Sequence, residues 1–137
     1  MLGEICPVCQ MPTEMAATYA KGFKPEPLPA LARPVIEVLL DNIRSVYNVG
    51  SILRTADGAG ISHLYCCGIT APLDHPKIVK TALGAEKSVG WTKSGNGLET
   101  AVSLKQRGYQ LLALECTPDA ILLPTFQLNN TQPIVLI

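Results

Sequence analysis

The residues best suited to do chemistry lie together in Asn48-Val-Gly-Ser-Ile-Leu-Arg-Thr-Ala-Asp-Gly-Ala-Gly60. Val49, Ile52, Leu53 and Ala56 recur at i, i+3, i+4 and i+7, the spacing of one helix face. Asn48 reads as the N-cap of this helix and Gly60 as its stop. Gly50 and Arg54 are four residues apart and share a face. A guanidinium beside bare backbone near a helix N-terminus can grip a phosphate or another oxyanion with two hydrogen bonds. With the apolar face packed down, Asn48, Gly50, Ser51 and Arg54 are expected toward the opening. A capped amphipathic helix with a merely solvated arginine fits the same spacing, so the residues alone leave both readings open.

Other reactive types are less well organised. The five cysteines are Cys6, Cys9, Cys66, Cys67 and Cys116, an odd number that argues against a disulfide framework. Cys6-Pro-Val-Cys9 has the spacing of half a zinc site, but a structural zinc needs four ligands and no second Cys-x-x-Cys exists. No metal is therefore expected, the alternative being a site completed by a partner. Cys66 and Cys67 are adjacent in an expected strand and should point to opposite faces. Gly95-Asn96-Gly97 opens a helix, yet dinucleotide spacing fails because position 100 is Thr and no clear strand precedes it. Asn129-Asn130-Thr131 fits a glycosylation sequon and reads as an ordinary loop. His63 and His75 read as surface or capping histidines, with no Ser or Cys partner in a hydrolase elbow.

The elements that must position these residues begin near residue 35. Six of the eleven prolines fall in residues 1–34, which reads as an extended leader and linker with a short helical turn at Met15–Lys21. Nine of the eleven glycines fall between Gly50 and Gly108. Strands are expected at Pro34–Leu40, His63–Gly68, Tyr109–Glu115 and Pro133–Ile137. Helices are expected at Asn48–Ala59, His75–Gly84 and Leu98–Gln106, the last closed by Gly108. Alternation of this kind predicts an α/β fold, a parallel sheet with flanking helices. Ligands of such sheets gather beyond the carboxyl ends of the strands, and the Asp41–Tyr47 turn leaves β-structure at that edge.

The whole chain has 137 residues, 47% hydrophobic and 16% charged, enough for one packed domain. Eleven basic residues balance eleven acidic ones, which excludes a scaffold that coats nucleic acid by charge alone. The balance is uneven along the chain. Residues 42–93 carry six basic against three acidic side chains, between flanks that are both net negative. No run approaches the ~18 apolar residues of a membrane helix, and the N-terminus lacks a secretory signal pattern, so a soluble cytoplasmic protein is the default expectation.

The motif Asn48, Gly50, Arg54, Thr55, Ala56, Asp57 and Gly60 resembles the first signature of the SpoU (TrmH-type) RNA 2′-O-ribose methyltransferases of the SPOUT superfamily. Lys80-Thr-Ala-Leu-Gly-Ala-Glu86, followed by Trp91, is similar to the family's next segment, and Leu104–Glu115 to its later helix and strand. The resemblance implies a parallel sheet, a homodimer, S-adenosylmethionine as methyl donor and tRNA or rRNA as substrate. Arg54 matches the family's catalytic arginine and Asn48 the motif asparagine that helps organise the site. Asn48, Gly50, Ser51, Arg54, Lys80 and Lys87 are the expected RNA contacts, with Glu86 near the RNA-facing edge. The family's second and third motifs, which form the knot and bind the donor, would follow the strand at Pro133–Ile137. The expectation is thus a Pro-rich leader, 1–34, and an incomplete α/β-knot domain, 35–137. Donor-binding residues are expected beyond Ile137, and the chain alone is expected neither to bind the donor nor to methylate RNA. A non-catalytic RNA-binding or partner-binding module is the alternative, and a Rossmann-like nucleotide binder a third.

Overall fold

A computed structural model of the chain describes residues 34–128 and 131–137. The Cys6–Cys9 pair, the turn expected at Met15–Lys21 and both asparagines of the sequon lie outside the described residues. The elements are β1 (Ile36–Asp41), α1 (Val46–Ala59), β2 (His63–Cys67), α2 (Pro76–Ala82), β3 (Gly90–Ser94), α3 (Gly97–Gln106), β4 (Gln110–Leu112) and β5 (Ile134–Leu136). A 3-10 turn at Ala85–Lys87 joins α2 to β3.

The strands form one sheet in the order β3-β2-β1-β5-β4. Every pairing is parallel, with Val38 opposite Leu64, Leu64 opposite Trp91, and Ile36 opposite Ile134. Side chains alternate between the two faces of a strand, so each strand feeds two cores. Leu40, Leu64 and Cys66 pack with Val49, Leu53 and Ala56 of α1 and Ile78 of α2. Leu39, Tyr65, Cys67 and Val135 pack with Ala101 and Leu104 of α3. The adjacent Cys66 and Cys67 therefore enter opposite cores, as their positions in a strand require. Helices on both faces of a parallel sheet give the α/β architecture expected from the alternating pattern.

Two strands depart clearly from the sequence expectation. β3 precedes Gly95, where no strand was legible, because Trp91 alone of Gly-Trp-Thr-Lys-Ser is a large apolar residue. Its five-residue ladder with β2 makes it a strand, and as an edge strand it leaves Thr92 and Lys93 exposed. The strand expected at Tyr109–Glu115 is only Gln110–Leu112, since β5 offers just three partners, Ile134–Leu136.

The loops after β1 and β2 are tied to each other and to β3 at the carboxyl edge. Thr70 Oγ1 donates to the Leu40 carbonyl at 3.0 Å and accepts the Ile43 N–H at 2.9 Å. Asn42, in the left-handed region at φ 55°, donates its N–H to the Cys67 carbonyl and accepts from Ile69 N–H through Oδ1. Lys93 Nζ donates to the carbonyls of Gly68 and of Thr70, the latter at 2.8 Å. This lacing fixes where α1 leaves the sheet.

Candidate functional site

The N-cap of α1 lies three residues earlier than the sequence reading puts it. Ser45, with extended backbone at φ −83° and ψ 114°, is the N-cap, and its hydroxyl accepts the Asn48 N–H at 3.3 Å. Asn48 is thus the third helical residue and not the cap. A serine hydroxyl reaches the third N–H of a helix well, and Ser45 was available in the sequence as that signal. The correction releases the Asn48 side chain, which is exposed on the first turn. At the other end, Gly60 sits at φ 75° and its N–H bonds the carbonyls of Ala56 and Asp57, the glycine stop that the sequence indicates.

Gly50 is also not where the spacing puts it. It is buried, and a Cβ there would lie 2.7 Å from Thr81 Cβ and 3.2 Å from the Ile78 carbonyl oxygen. Its bare backbone serves the close approach of α2 to α1 and does not face an opening. The reason is rotational. The buried stripe of Val49, Leu53 and Ala56 is flanked on one side by Gly50 and Asp57, and α2 packs against that flank.

Arg54 lies just outside this flank and is exposed. Its guanidinium has no hydrogen-bond or ion-pair partner among the described residues. It borders an open, mainly polar depression of about 460 Å³, lined also by Asp57, Ala82, Leu83, Gly84 and Ala85. Asp57 anchors the floor, because its Oδ1 accepts the Ser88 hydroxyl at 2.7 Å and so ties α1 to the 3-10 turn. The far wall is two consecutive left-handed residues, Leu83 at φ 53° and Gly84 at φ 101°. Gly84 N–H donates to Glu86 Oε2 at 3.0 Å, which holds a carboxylate at this wall.

The structure places the other expected residues around this depression to different degrees. Ser51 lies one turn before Arg54 on the exposed face, its carbonyl accepting from Thr55 Oγ1 at 3.1 Å. Asn48 is about 120° round the helix from Arg54, so the two side chains leave α1 in different directions. Lys80, in the last turn of α2, and Lys87, in the 3-10 turn, are both exposed and flank the lining segment 82–85. Asp57, Ser88 and the Leu83–Gly84 wall are participants that the spacing of α1 does not reveal, since their relation to Arg54 depends on how the turn after α2 folds back.

Of the described cysteines, Cys66 and Cys67 are buried and Cys116 is exposed. Burial pushes the Cys66 thiol up to about 11 and raises Cys67 as well, so both stay protonated near neutrality. His75 caps α2, its Nδ1 accepting the Lys77 N–H at 3.2 Å, and His63 Nε2 pairs with Thr92 Oγ1 at 2.9 Å. A second open depression of about 340 Å³ lies between β3 and α3, lined by Thr92, Ser94, Glu99, Thr100 and Arg107 among others. No described helix is long and apolar enough to cross a membrane.

A parallel sheet with α1 leaving its carboxyl edge, and on that helix an exposed arginine without a partner among the described residues, defines an α/β class. Residues 35–137 match the sequence model of the SpoU rRNA Methylase family, and the chain belongs to that family. An rRNA methyltransferase from Sinorhizobium meliloti is similar in structure, with a TM-score of 0.67 and 25% identity over 77% of this chain and 39% of that one. The SpoU methyltransferase AviRb from Streptomyces viridochromogenes, in complex with the cofactor AdoMet, aligns with a TM-score of 0.62 and 26% identity over 79% of this chain and 43% of that one. The A. aeolicus TrmH/SpoU tRNA modifying enzyme, at 23% identity, shares the fold with a TM-score of 0.61 over 76% of this chain and 51% of that one. Among curated proteins none matches. The chain spans between 39% and 51% of the length of these three structures.

Proposed function

We propose that this chain carries the RNA-facing part of an S-adenosylmethionine-dependent methyltransferase acting on a ribose 2′-hydroxyl of tRNA or rRNA. The observation that carries the reading is Arg54: an exposed guanidinium, without a partner among the described residues, on the motif helix of a SpoU-family chain. The excess of basic residues in 42–93, including Lys80 and Lys87, supports RNA as the polyanion it meets. The family match beginning at residue 35 supports a domain boundary there, with 1–34 as leader. A cytoplasmic homodimer remains the expected setting.

The role of Arg54 follows from its chemistry. A guanidinium with a pKa above ~12 keeps its proton, so it does not serve as the base for the ribose hydroxyl. It holds the phosphate beside the target ribose with two hydrogen bonds and stabilises negative charge as it develops on the 2′-oxygen. Ser51 and Asn48 offer a hydroxyl and an amide along the same helix. The methyl donor supplies an electrophilic sulfonium methyl group, and no residue of the described chain is assigned to hold it. Orientation of the two reactants supplies most of the rate in such a transfer.

Binding of tRNA and of rRNA fragments, measured by gel shift at two salt concentrations, tests the reading. Arg54→Ala is expected to weaken binding by about ten- to a hundred-fold, the loss of charge-assisted hydrogen bonds worth roughly 1.5–3 kcal/mol, and to lower the salt slope by about one. Binding indifferent to both salt and Arg54 would sink it. Measurable transfer of labelled methyl groups to the 2′-position, assayed in parallel, would overturn the expectation that this chain alone does not methylate RNA.

A further inference from the structure

We propose that Tyr47 is a stacking platform for an unpaired base of the RNA strand whose phosphate Arg54 holds; this rests on the RNA reading above. Tyr47 lies in the first turn of α1 and is 62% exposed. Its ring and hydroxyl have no hydrogen-bond or aromatic partner among the described residues. The other aromatic side chains of the sheet region are all engaged. Trp91 packs against the core, Tyr65 donates to Glu37, and the Tyr109 ring lies 5.5 Å beneath the Arg107 guanidinium.

The position of Tyr47 relative to Arg54 gives the idea its content. Tyr47, Ser51 and Arg54 fall at i, i+4 and i+7, within about 60° of one another round α1 and about 10 Å apart along its axis from first to last. An aromatic face, a hydroxyl and a guanidinium thus form one exposed stripe. The other exposed α1 residues on and beside this stripe, Gly58, Thr55 and Asn48, carry no large apolar side chain, so the ring is not part of an apolar patch on this helix. Arg44, exposed just before the helix, adds positive charge at the Tyr47 end. Alternation of a π-face with cations matches a single nucleic-acid strand, whose bases stack while its phosphates pair. A duplex hides its base faces and offers nothing for Tyr47 to stack on, so the occupant is an unpaired nucleotide next to the one gripped at Arg54.

Fluorescence anisotropy with an unstructured ribo-oligonucleotide and with a blunt RNA duplex tests this on the whole chain. Tyr47→Ala is expected to weaken the single strand about ten-fold with its salt slope unchanged, while duplex binding stays the same. Tyr47→Phe is expected to restore the affinity to within about two-fold, because the ring and not the hydroxyl does the stacking. Arg54→Ala instead lowers the salt slope. Affinity reduced by Arg54→Ala but untouched by Tyr47→Ala overturns this inference alone. A Tyr47→Ala that changes the oligomeric state and leaves RNA affinity intact also overturns it, assigning the ring to a protein contact. Loss of Arg54 dependence overturns the RNA reading itself.

Discussion

Gly50 and Gly58 lie eight residues apart on α1 and have opposite duties. An added methyl at Gly50 meets Thr81 Cβ at 2.7 Å, whereas at Gly58 it meets nothing within 4 Å. Gly50→Ala is expected to lower stability by about 1–2 kcal/mol, because overpacking outweighs the ~1 kcal/mol gain in helix propensity. Gly58→Ala is expected to raise it by about 0.5 kcal/mol, since only propensity changes near an exposed helix end. Urea unfolding of the two variants reads the sign directly. A family-motif glycine can thus matter for helix packing rather than for access to a ligand. Asp57, also in the motif, is likewise spoken for by Ser88. What the motif leaves free for function is Arg54, together with the exposed side chains of Asn48 and Ser51.

Elements decide how that exposed arginine is presented. α2 ends after Ala82 because Leu83 turns left-handed at φ 53°, two residues short of the expected end. A side chain in that conformation costs roughly 1–2 kcal/mol, which glycine avoids. Leu83 is 72% exposed, so removing its side chain forfeits little burial. Leu83→Gly is therefore expected to stabilise the fold by about 1 kcal/mol, seen as a raised denaturation midpoint. Because Leu83 also forms the wall opposite Arg54, the same variant reports on shape. RNA affinity that stays constant would mean that the wall backbone, not the leucine side chain, is what the ligand meets.

At the scale of the whole sheet, strands pair across long stretches of sequence, and one buried polar contact makes that coupling measurable. Tyr65 on β2 donates to Glu37 Oε2 on β1 at 2.8 Å. Burial pushes the Tyr65 hydroxyl up to about 12, and the hydrogen bond and negative charge of Glu37 push it the same way. Burial also raises Tyr109, again with help from Glu37. The unfolded value of tyrosine is about 10, so the folded state holds this proton more tightly. Stability from this contact is complete below about pH 10 and is lost as pH rises through about 12. Cys66, raised to about 11, adds a loss of the same sign that begins lower. Thermal melts from about pH 8 to about pH 11 are expected to show a progressive fall in Tm. Glu37→Gln is expected to bring the tyrosine absorbance titration down toward the ordinary range.

The parallel α/β class, the three helices and the placement of β1, β2 and β5 were legible in the sequence because apolar periodicity and glycine stops are local signals. Val49, Leu53 and Ala56 had to share a face whatever they packed on, and Gly60 had to end the helix they form. The candidate arginine was legible for the same reason, as a charged residue on the polar side of that stripe. Tertiary structure alone decided the rest. β3 exists because β2 offers a ladder to an edge segment whose own side chains are mostly polar. Gly50 turned inward because α2 came to rest on its side of α1, a choice that periodicity cannot make. Tyr47 became an exposed neighbour of Arg54 only once Ser45 took the cap and carried the helix back through residue 47. Each of these depends on a partner distant in sequence or on a hydrogen bond that selects among helix starts, and neither is written in a repeating pattern of residue types.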